Sequence, residues 1–413
     1  MAGSWWLIVP LYTENGWTPA AVPFLQASLL FLTLVYVFKT YLDMHARRRN
    51  QSLDVAQATK KESQTNEEAS KGSEDNTSDD ETENEVPSSV SLLHTTLDKF
   101  DKSRAYGLDQ STSKFFSSAY THVKDSGLLL LGYLPLLWSE SGHALSALGL
   151  DATDEIYRSV VFFALHMLQS IASDLPVELY TAFVVEARHG FNNQRLGLFF
   201  TDQVKKTLLL MAISSPLTAG LVYLVQWGGE SFYLYVWAFQ CAFTVAMMVV
   251  LPVWVLPLFE NYTSLEGAHE LGHWKLSHIP KTILAMPLHD FALAYVFGFC
   301  MNNSELFTSF GFARDSEKPV AVGFMFFSKA MWAPVSHILS FTMRLVTLQS
   351  ELEADAFVVN LGLGEALKSG LTKVALGNHT SLNPDPLYSK YHHDHLPLVA
   401  RLVTISERMK KTL

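Results

Sequence analysis

Long apolar stretches constrain the fold of this chain more than any other feature of its sequence. A helix needs about 20 consecutive apolar residues to cross a bilayer. Seven windows of about that length or more occur in the 413 residues, and they are Ala21–Tyr41, Gly127–Gly149, Ser159–Val184, Thr207–Gln226, Phe232–Leu258, Ile283–Met301 and Val320–Val346. The fourth and fifth windows contain no charged residue at all. We therefore predict an all-α polytopic membrane protein with about seven transmembrane helices.

The charge content agrees with a membrane protein. Only 17% of the residues are charged, against roughly 25% in soluble domains, and the mean hydropathy is +0.15. The net charge of -10 is local, because residues 62–85 carry ten acidic residues and one lysine. The rest of the chain is nearly neutral, which argues against a nucleic-acid partner and leaves the lipid bilayer as the expected surroundings.

Basic residues predict the orientation of the spans. Arg47, Arg48 and Arg49 follow the first window directly, so its C-terminal end should lie in the cytosol and the N-terminus in the lumen. Seven alternating spans then place the C-terminus in the cytosol. The predicted organisation is a lumenal N-terminus with the first span (1–49), a disordered acidic cytosolic linker (50–88), a membrane domain with spans two to five (89–268), and a last region with spans six and seven and a cytosolic C-terminal segment (269–413).

A His-Glu-x-x-His sequence follows the fifth span. On a helix, His269 and His273 lie on one face, where two neutral imidazoles can hold Zn²⁺ and Glu270 can take a proton from a water molecule. The alternative is a surface helix with two solvated histidines. The position between two membrane spans favours a functional site, because ionisable residues are costly there.

Glu351, just past the seventh span, is the candidate for a third zinc ligand. A catalytic zinc usually has three protein ligands, and spans five and seven both end on the predicted cytosolic side. Asp355 lies one helical turn further along, where it can orient a ligand histidine. The alternative is a solvated acidic face that includes Glu353.

Histidines recur in Tyr391-His-His-Asp-His-Leu-Pro397. The cluster is compatible with a second metal patch, a surface cluster or a part of the active site. A peptidase needs a hydrogen-bond donor for the oxyanion of its tetrahedral intermediate, and a histidine would serve.

These motifs together resemble a known family. The sequence is similar to the type I CAAX prenyl proteases, seven-span zinc metalloproteases of the endoplasmic reticulum. The resemblance rests on Lys102-Ser-Arg-x-Tyr-x-Leu-Asp109, Leu179–Asn192, Pro257–Thr263, His269–His278, Phe310–Phe312, Glu351–Phe357 and His395–Leu402.

The resemblance implies a site and an activity. One Zn²⁺ per chain would be bound by His269, His273 and Glu351, with Glu270 as general base and His395 as a second catalytic residue. The remaining residues that it implies are supporting ones: Asp355, Arg401, Glu186, His189 and Asn192. The spans would enclose a water-filled chamber with the zinc site at its cytosolic side, and the enzyme would remove the last three residues of prenylated proteins.

The ending Lys410-Lys411-Thr412-Leu413 resembles a di-lysine signal for the endoplasmic reticulum.

The chain departs from the family between Thr263 and His269, where Ser264–Ala268 is too short for the β-segment that pairs with substrate. This departure motivates a first alternative, a catalytically impaired zinc-binding scaffold that still binds prenylated chains. A second alternative is a zinc transporter, which histidine and aspartate within the spans suggest.

Overall fold

A computed structural model gives the fold for residues 8–52, 88–250, 267–316, 318–377, 385–393 and 395–412. All regular elements in these ranges are helical, which confirms the predicted all-α class. In chain order they are α1 (Phe24–Ser52), α2 (Ser88–Leu130), α3 (Tyr133–Ala147), α4 (Glu155–Tyr180), a π-helical turn (Thr181–Glu186), α5 (Leu196–Trp227), a 3-10 turn (Gly229–Ser231), α6 (Phe232–Val250), α7 (Gly267–Lys275), α8 (His278–Met301), α9 (Ser304–Ser309), α10 (Val320–Phe326), a second π-helical turn (Phe327–Trp332), α11 (Ala333–Asn360), α12 (Gly364–Gly377), α13 (Pro386–His392) and α14 (Leu398–Thr412).

Four helical segments in the described ranges are long and apolar enough to cross a membrane: Phe24–Arg49, Glu155–Glu186, Leu196–Trp227 and Gly229–Met248. A shorter apolar helix covers Met286–Met301. Their apolar side chains point outward, as Leu208 and Val245 show with 62% and 61% exposure. Continuous exposed apolar surface of this kind is favourable against lipid and costly against water. The multi-pass membrane protein is confirmed, and the count of seven spans stays a prediction.

The second predicted window is not one continuous helix. Helix α2 ends at Leu130 and α3 begins at Tyr133, because Gly132 between them has φ of 68°. The backbone N–H groups of Leu11 and Tyr12 donate to the carbonyl oxygens of Leu130 and Leu131 at 2.8 and 3.1 Å. A Cβ at Gly132 would lie 2.2 Å from the Tyr12 oxygen, so this close approach requires glycine. Hydropathy could not reveal the break.

The chain forms two compact units. The first comprises Met1–Val37, Ser117–Val184 and Asn192–Met343. Its core is rich in phenylalanine around α10, where Phe326 stacks on Phe310 with ring centroids 4.3 Å apart and Phe312 is fully buried. Helix α8 packs along α6 in this unit, and α7 leads into α8.

The second unit comprises Phe38–Phe116, Val185–Phe191 and Arg344–Leu413. Helices α12 and α14 pack against each other here, with Ile405 fully buried. The linker predicted at 50–88 lies outside the described residues except at its two ends, and so does most of the short junction Ser264–Ala268. The domain boundaries and the water-filled chamber stay predictions.

Candidate metal centre

Helix α7 brings His269 and His273 together on one face, as their spacing predicts. Their Nε2 atoms lie 3.2 Å apart, and their rings meet edge to face. Two nitrogen ligands of a tetrahedral zinc at its usual bond length would lie about 3.3 Å apart. The two rings therefore already have the separation that a zinc ion requires.

His278 contacts the far side of the His273 ring. Its Nδ1 lies 3.1 Å from Nδ1 of His273, and the residue is 7% exposed. The contact follows from the turn after α7, where Ser277 adopts a left-handed conformation with φ of 57° and starts α8 in a new direction. Holding one ring nitrogen fixes the other, Nε2, as the metal ligand. The sequence did not lead us to predict that His278 orients His273. Its position as the last residue of the motif His269–His278 was the feature that could have indicated it.

Helices α11 and α14 hold two buried carboxylates within the second unit. Glu351 and Asp355 are one turn apart on α11, and both are buried with 5% and 2% exposure. Arg401 of α14 donates to both oxygens of Asp355, from Nε at 2.8 Å and Nη2 at 2.6 Å. Its Nη1 also lies 3.5 Å from Oε2 of Glu351. One buried guanidinium thus holds both carboxylates in place.

His395 contacts the same carboxylate from the segment that precedes α14. Its Nδ1 lies 3.1 Å from Oε2 of Glu351, while 69% of its side chain is exposed. The Nδ1 contact leaves Nε2 as the ring nitrogen that can reach a substrate oxygen. The histidine cluster near residue 395 is therefore connected to the carboxylate predicted to bind zinc.

The two imidazoles of α7 can hold a metal ion together with a carboxylate. Two imidazoles with one carboxylate are a common donor set for catalytic zinc, and Glu351 is the carboxylate that the sequence predicts for it. Glu270 lies beside His269 on α7 and is exposed. The donor chemistry and the nitrogen separation both fit zinc.

The three predicted supporting residues near the end of α4 make local contacts. Asn192 donates from Nδ2 to the Ala182 oxygen at 2.8 Å, and the Glu186 carbonyl oxygen accepts from the His189 N–H at 3.2 Å. Nε2 of His189 lies 3.0 Å from Asp109. Their role at the metal centre stays a prediction.

Asp109 is a charged residue whose structural role sequence reasoning missed. It accepts hydrogen bonds from His189 and from Arg188, the latter at 2.8 Å. These two contacts, His189 first, hold the pKa of its carboxyl below the usual range. Asp109 is the last residue of the motif Lys102–Asp109. Its position in that motif is the feature of the sequence that could have pointed to a structural role.

Comparison with known families covers most of the chain. Residues 80–261 match the family described as CAAX prenyl protease N-terminal, five membrane helices, and residues 267–409 match peptidase family M48. The chain belongs to the CAAX prenyl protease family. It is therefore a metalloprotease, and the predicted family membership is confirmed.

Individual relatives agree with this assignment. The protease is 31% identical to the CAAX prenyl protease 1 homolog of Arabidopsis thaliana, over 95% of this chain and 100% of the relative. It is 28% identical to the homolog of Homo sapiens, over 73% of this chain and 85% of the relative. The crystal structure of S. mikatae Ste24p has the same fold, with a TM-score of 0.76 at 21% identity over 93% of this chain and 99% of that one.

The alignment with the Arabidopsis relative also bears on the two alternatives. It runs over 458 positions, more than the 413 residues of this chain, so the relative contains residues that this protease lacks. This agrees with the departure seen in the sequence. The peptidase family match nevertheless does not favour an impaired scaffold or a transporter.

Proposed function

We propose that this protease is a zinc-dependent endopeptidase that removes the last three residues of prenylated proteins. The observation that carries the proposal is the pair of Nε2 atoms of His269 and His273, 3.2 Å apart. We propose the Glu351 carboxylate as the third donor. Two residues beside these ligands, Glu270 and His395, complete the set that peptide hydrolysis needs. The names of the relatives support prenylated substrates.

Zinc, when bound by these three residues, supplies a Lewis acid that polarises a carbonyl group. Glu270 takes a proton from the attacking water and passes it to the leaving nitrogen as the C–N bond breaks. His395, as an imidazolium whose Nδ1–H donates to Glu351, donates a second hydrogen bond from Nε2 to the oxygen of the cleaved carbonyl. Arg401 holds Glu351 and Asp355 in place during the reaction.

The membrane and its orientation belong to the same proposal. We infer that the protease resides in the endoplasmic reticulum with its N-terminus in the lumen and its active site in the cytosol, as the arginines after the first span predict. An epitope inserted within 60–70 should be reached by antibody when only the plasma membrane is permeabilised. Labelling that requires full permeabilisation would contradict this orientation.

The activity is tested with purified protease and a farnesylated C-terminal peptide. Mass spectrometry should show release of the three terminal residues, and elemental analysis should find one zinc per chain. His269→Ala and Glu351→Ala should lose both zinc and cleavage. His143→Ala, whose side chain is 74% exposed, is the matched control. Zinc in equal amounts in all variants would refute the ligand assignment.

A further inference from the structure

A group of basic side chains surrounds His392, the last residue of α13. Burial first, and then the charges of Lys114, Lys39 and Arg344 with a smaller effect of His393, lower the pKa of His392 to about 4. The ring is therefore neutral at physiological pH. The environment around it favours negative charge, and we call these five residues the basic cluster.

Hydrogen bonds attach two of the cations to α13. Nζ of Lys114 donates to the Tyr388 hydroxyl at 3.4 Å, and Nη1 of Arg344 donates to the Tyr391 carbonyl oxygen. These two contacts hold Lys114 and Arg344 next to α13.

Two carboxylates lie beside the basic cluster. Asp43 lies near Lys114 and Lys39, and Asp385 lies 2.8 Å from His45. Among the residues that the structure describes, Lys39, Lys114 and Arg344 stand against these two carboxylates. In this part of the chain positive side chains therefore outnumber negative ones at the cluster.

His392 itself points to a ligand. Its Nε2 is buried and has no hydrogen-bond partner among the residues that the structure describes. Buried polar atoms almost always have a partner. An oxygen atom of an anion would satisfy both this nitrogen and the neighbouring cations.

The distance of the basic cluster from the metal centre suggests which anion it binds. Arg344 and Glu351 lie two turns apart on one face of α11, about 10.5 Å along the helix. His392 is three residues before His395, which contacts Glu351. A peptide of three residues in extended conformation spans up to about 10 Å. The spacing therefore corresponds to the length of the tripeptide that the proposed reaction releases.

We propose that Arg344, Lys114 and His392 bind the C-terminal α-carboxylate of the substrate. This site would measure three residues from the chain end to the scissile bond, so that only a free carboxyl terminus at that distance is cleaved efficiently. Arginine suits the role because its guanidinium binds carboxylates in a bidentate manner. The inference rests on the proposed function and adds a determinant of substrate specificity.

The test compares two farnesylated peptides that differ only at the end, a free carboxylate and a carboxamide. Wild-type protease should cleave the carboxamide roughly 10–100-fold less efficiently in kcat/KM, the usual effect of a lost charge-assisted hydrogen bond. In Arg344→Gln, kcat/KM should fall by a similar factor for the peptide with a free carboxylate and should change little for the peptide with a carboxamide. Lys114→Gln is a second variant at an exposed position, in case Arg344→Gln does not fold. Lys390→Gln, an exposed lysine of α13, is the matched control and should behave as wild type.

Several outcomes would overturn the carboxylate site. Equal cleavage of both peptides by wild type would do so, and so would an equal loss on both peptides in Arg344→Gln. If both peptides are cleaved equally and an Arg344-dependent gain appears only with phosphatidylserine in the vesicles, the basic cluster binds a lipid headgroup instead.

A binding measurement separates this inference from the proposed function. A fluorescent tripeptide with a free carboxylate should bind wild type more tightly than its carboxamide, and Arg344→Gln should abolish the difference. If no farnesylated peptide is cleaved although this difference is found, the proposed function fails and the carboxylate site stands. If the two tripeptides bind equally, the carboxylate site is refuted.

Discussion

Arg401 and Asp355 form a buried bidentate ion pair between α14 and α11, with N···O distances of 2.8 and 2.6 Å. The same guanidinium lies 3.5 Å from Glu351. Arg401 lies 46 residues beyond Asp355 in the chain, so α14 holds the predicted metal ligand Glu351 from a distant part of the sequence. This relationship explains how a carboxylate can be buried at 5% exposure and still be available to a cation.

Breaking this pair should destabilise the protease. Asp355→Ala leaves the buried Arg401 charge without its bidentate partner and with only the longer contact to Glu351, and breaking a buried pair typically costs about 3–5 kcal/mol. Denaturant unfolding in detergent would measure the loss of unfolding free energy. The double variant Asp355→Ala/Arg401→Met should lose less, because it removes both charges. Lys368→Gln disrupts a partly exposed pair with Glu365 and should change stability by under about 0.5 kcal/mol. An equally small effect of Asp355→Ala would contradict the account.

Glu270→Gln should abolish cleavage without removing zinc. Glutamine keeps the shape of the side chain but accepts no proton, and loss of general-base help typically costs roughly 10²–10⁴-fold in rate. Turnover of a farnesylated peptide and zinc content are measured on the same preparation. The exposed Glu365 of α12 provides the control variant Glu365→Gln, which should be fully active. Normal turnover in Glu270→Gln would assign the base to another group.

His278→Ala should weaken metal binding roughly 10–100-fold, the usual effect of removing a partner that orients a ligand histidine. The physical reason is that Nδ1 of His273 loses the contact at 3.1 Å that fixes its ring. Competition with a chelator of known affinity measures the change. His278→Asn, which retains a hydrogen-bonding side chain, should restore part of the affinity. Unchanged affinity in His278→Ala would limit this residue to a packing role.

His392 should make the protease sensitive to mild acid. Its pKa is about 4 in the folded protein, below the value near 6.5 of an unfolded chain. Above pH 6.5 the ring is neutral in both states, so its contribution to stability is complete. As the pH falls from 6.5 to 4, only the unfolded state gains the proton, and stability is lost.

Thermal unfolding at pH 7 and pH 5 measures this effect. His392→Gln should show a smaller fall in Tm between the two values than wild type. His143→Gln replaces an exposed histidine, and its Tm should fall as much as that of wild type. The same fall in Tm in all three proteins would exclude His392 as the source of the acid sensitivity.

The sequence by itself determined the fold class and the pair of histidines predicted to bind a metal. Apolar windows of membrane length are a one-dimensional property, because a helix that crosses lipid must satisfy its backbone internally. The spacing of His269 and His273 likewise places both rings on one face without reference to the rest of the fold.

Only the tertiary structure decided the contacts that depend on distant parts of the chain. The break at Gly132 arises from the approach of Tyr12, and the ion pair of Asp355 arises from α14. His278 contacts His273 across the left-handed residue Ser277, which separates α7 from α8, and Arg344 donates to the carbonyl oxygen of Tyr391, the residue before His392. Each of these contacts is made by side chains or backbone groups whose meeting is fixed by packing, and neither periodicity nor hydropathy records which groups will meet.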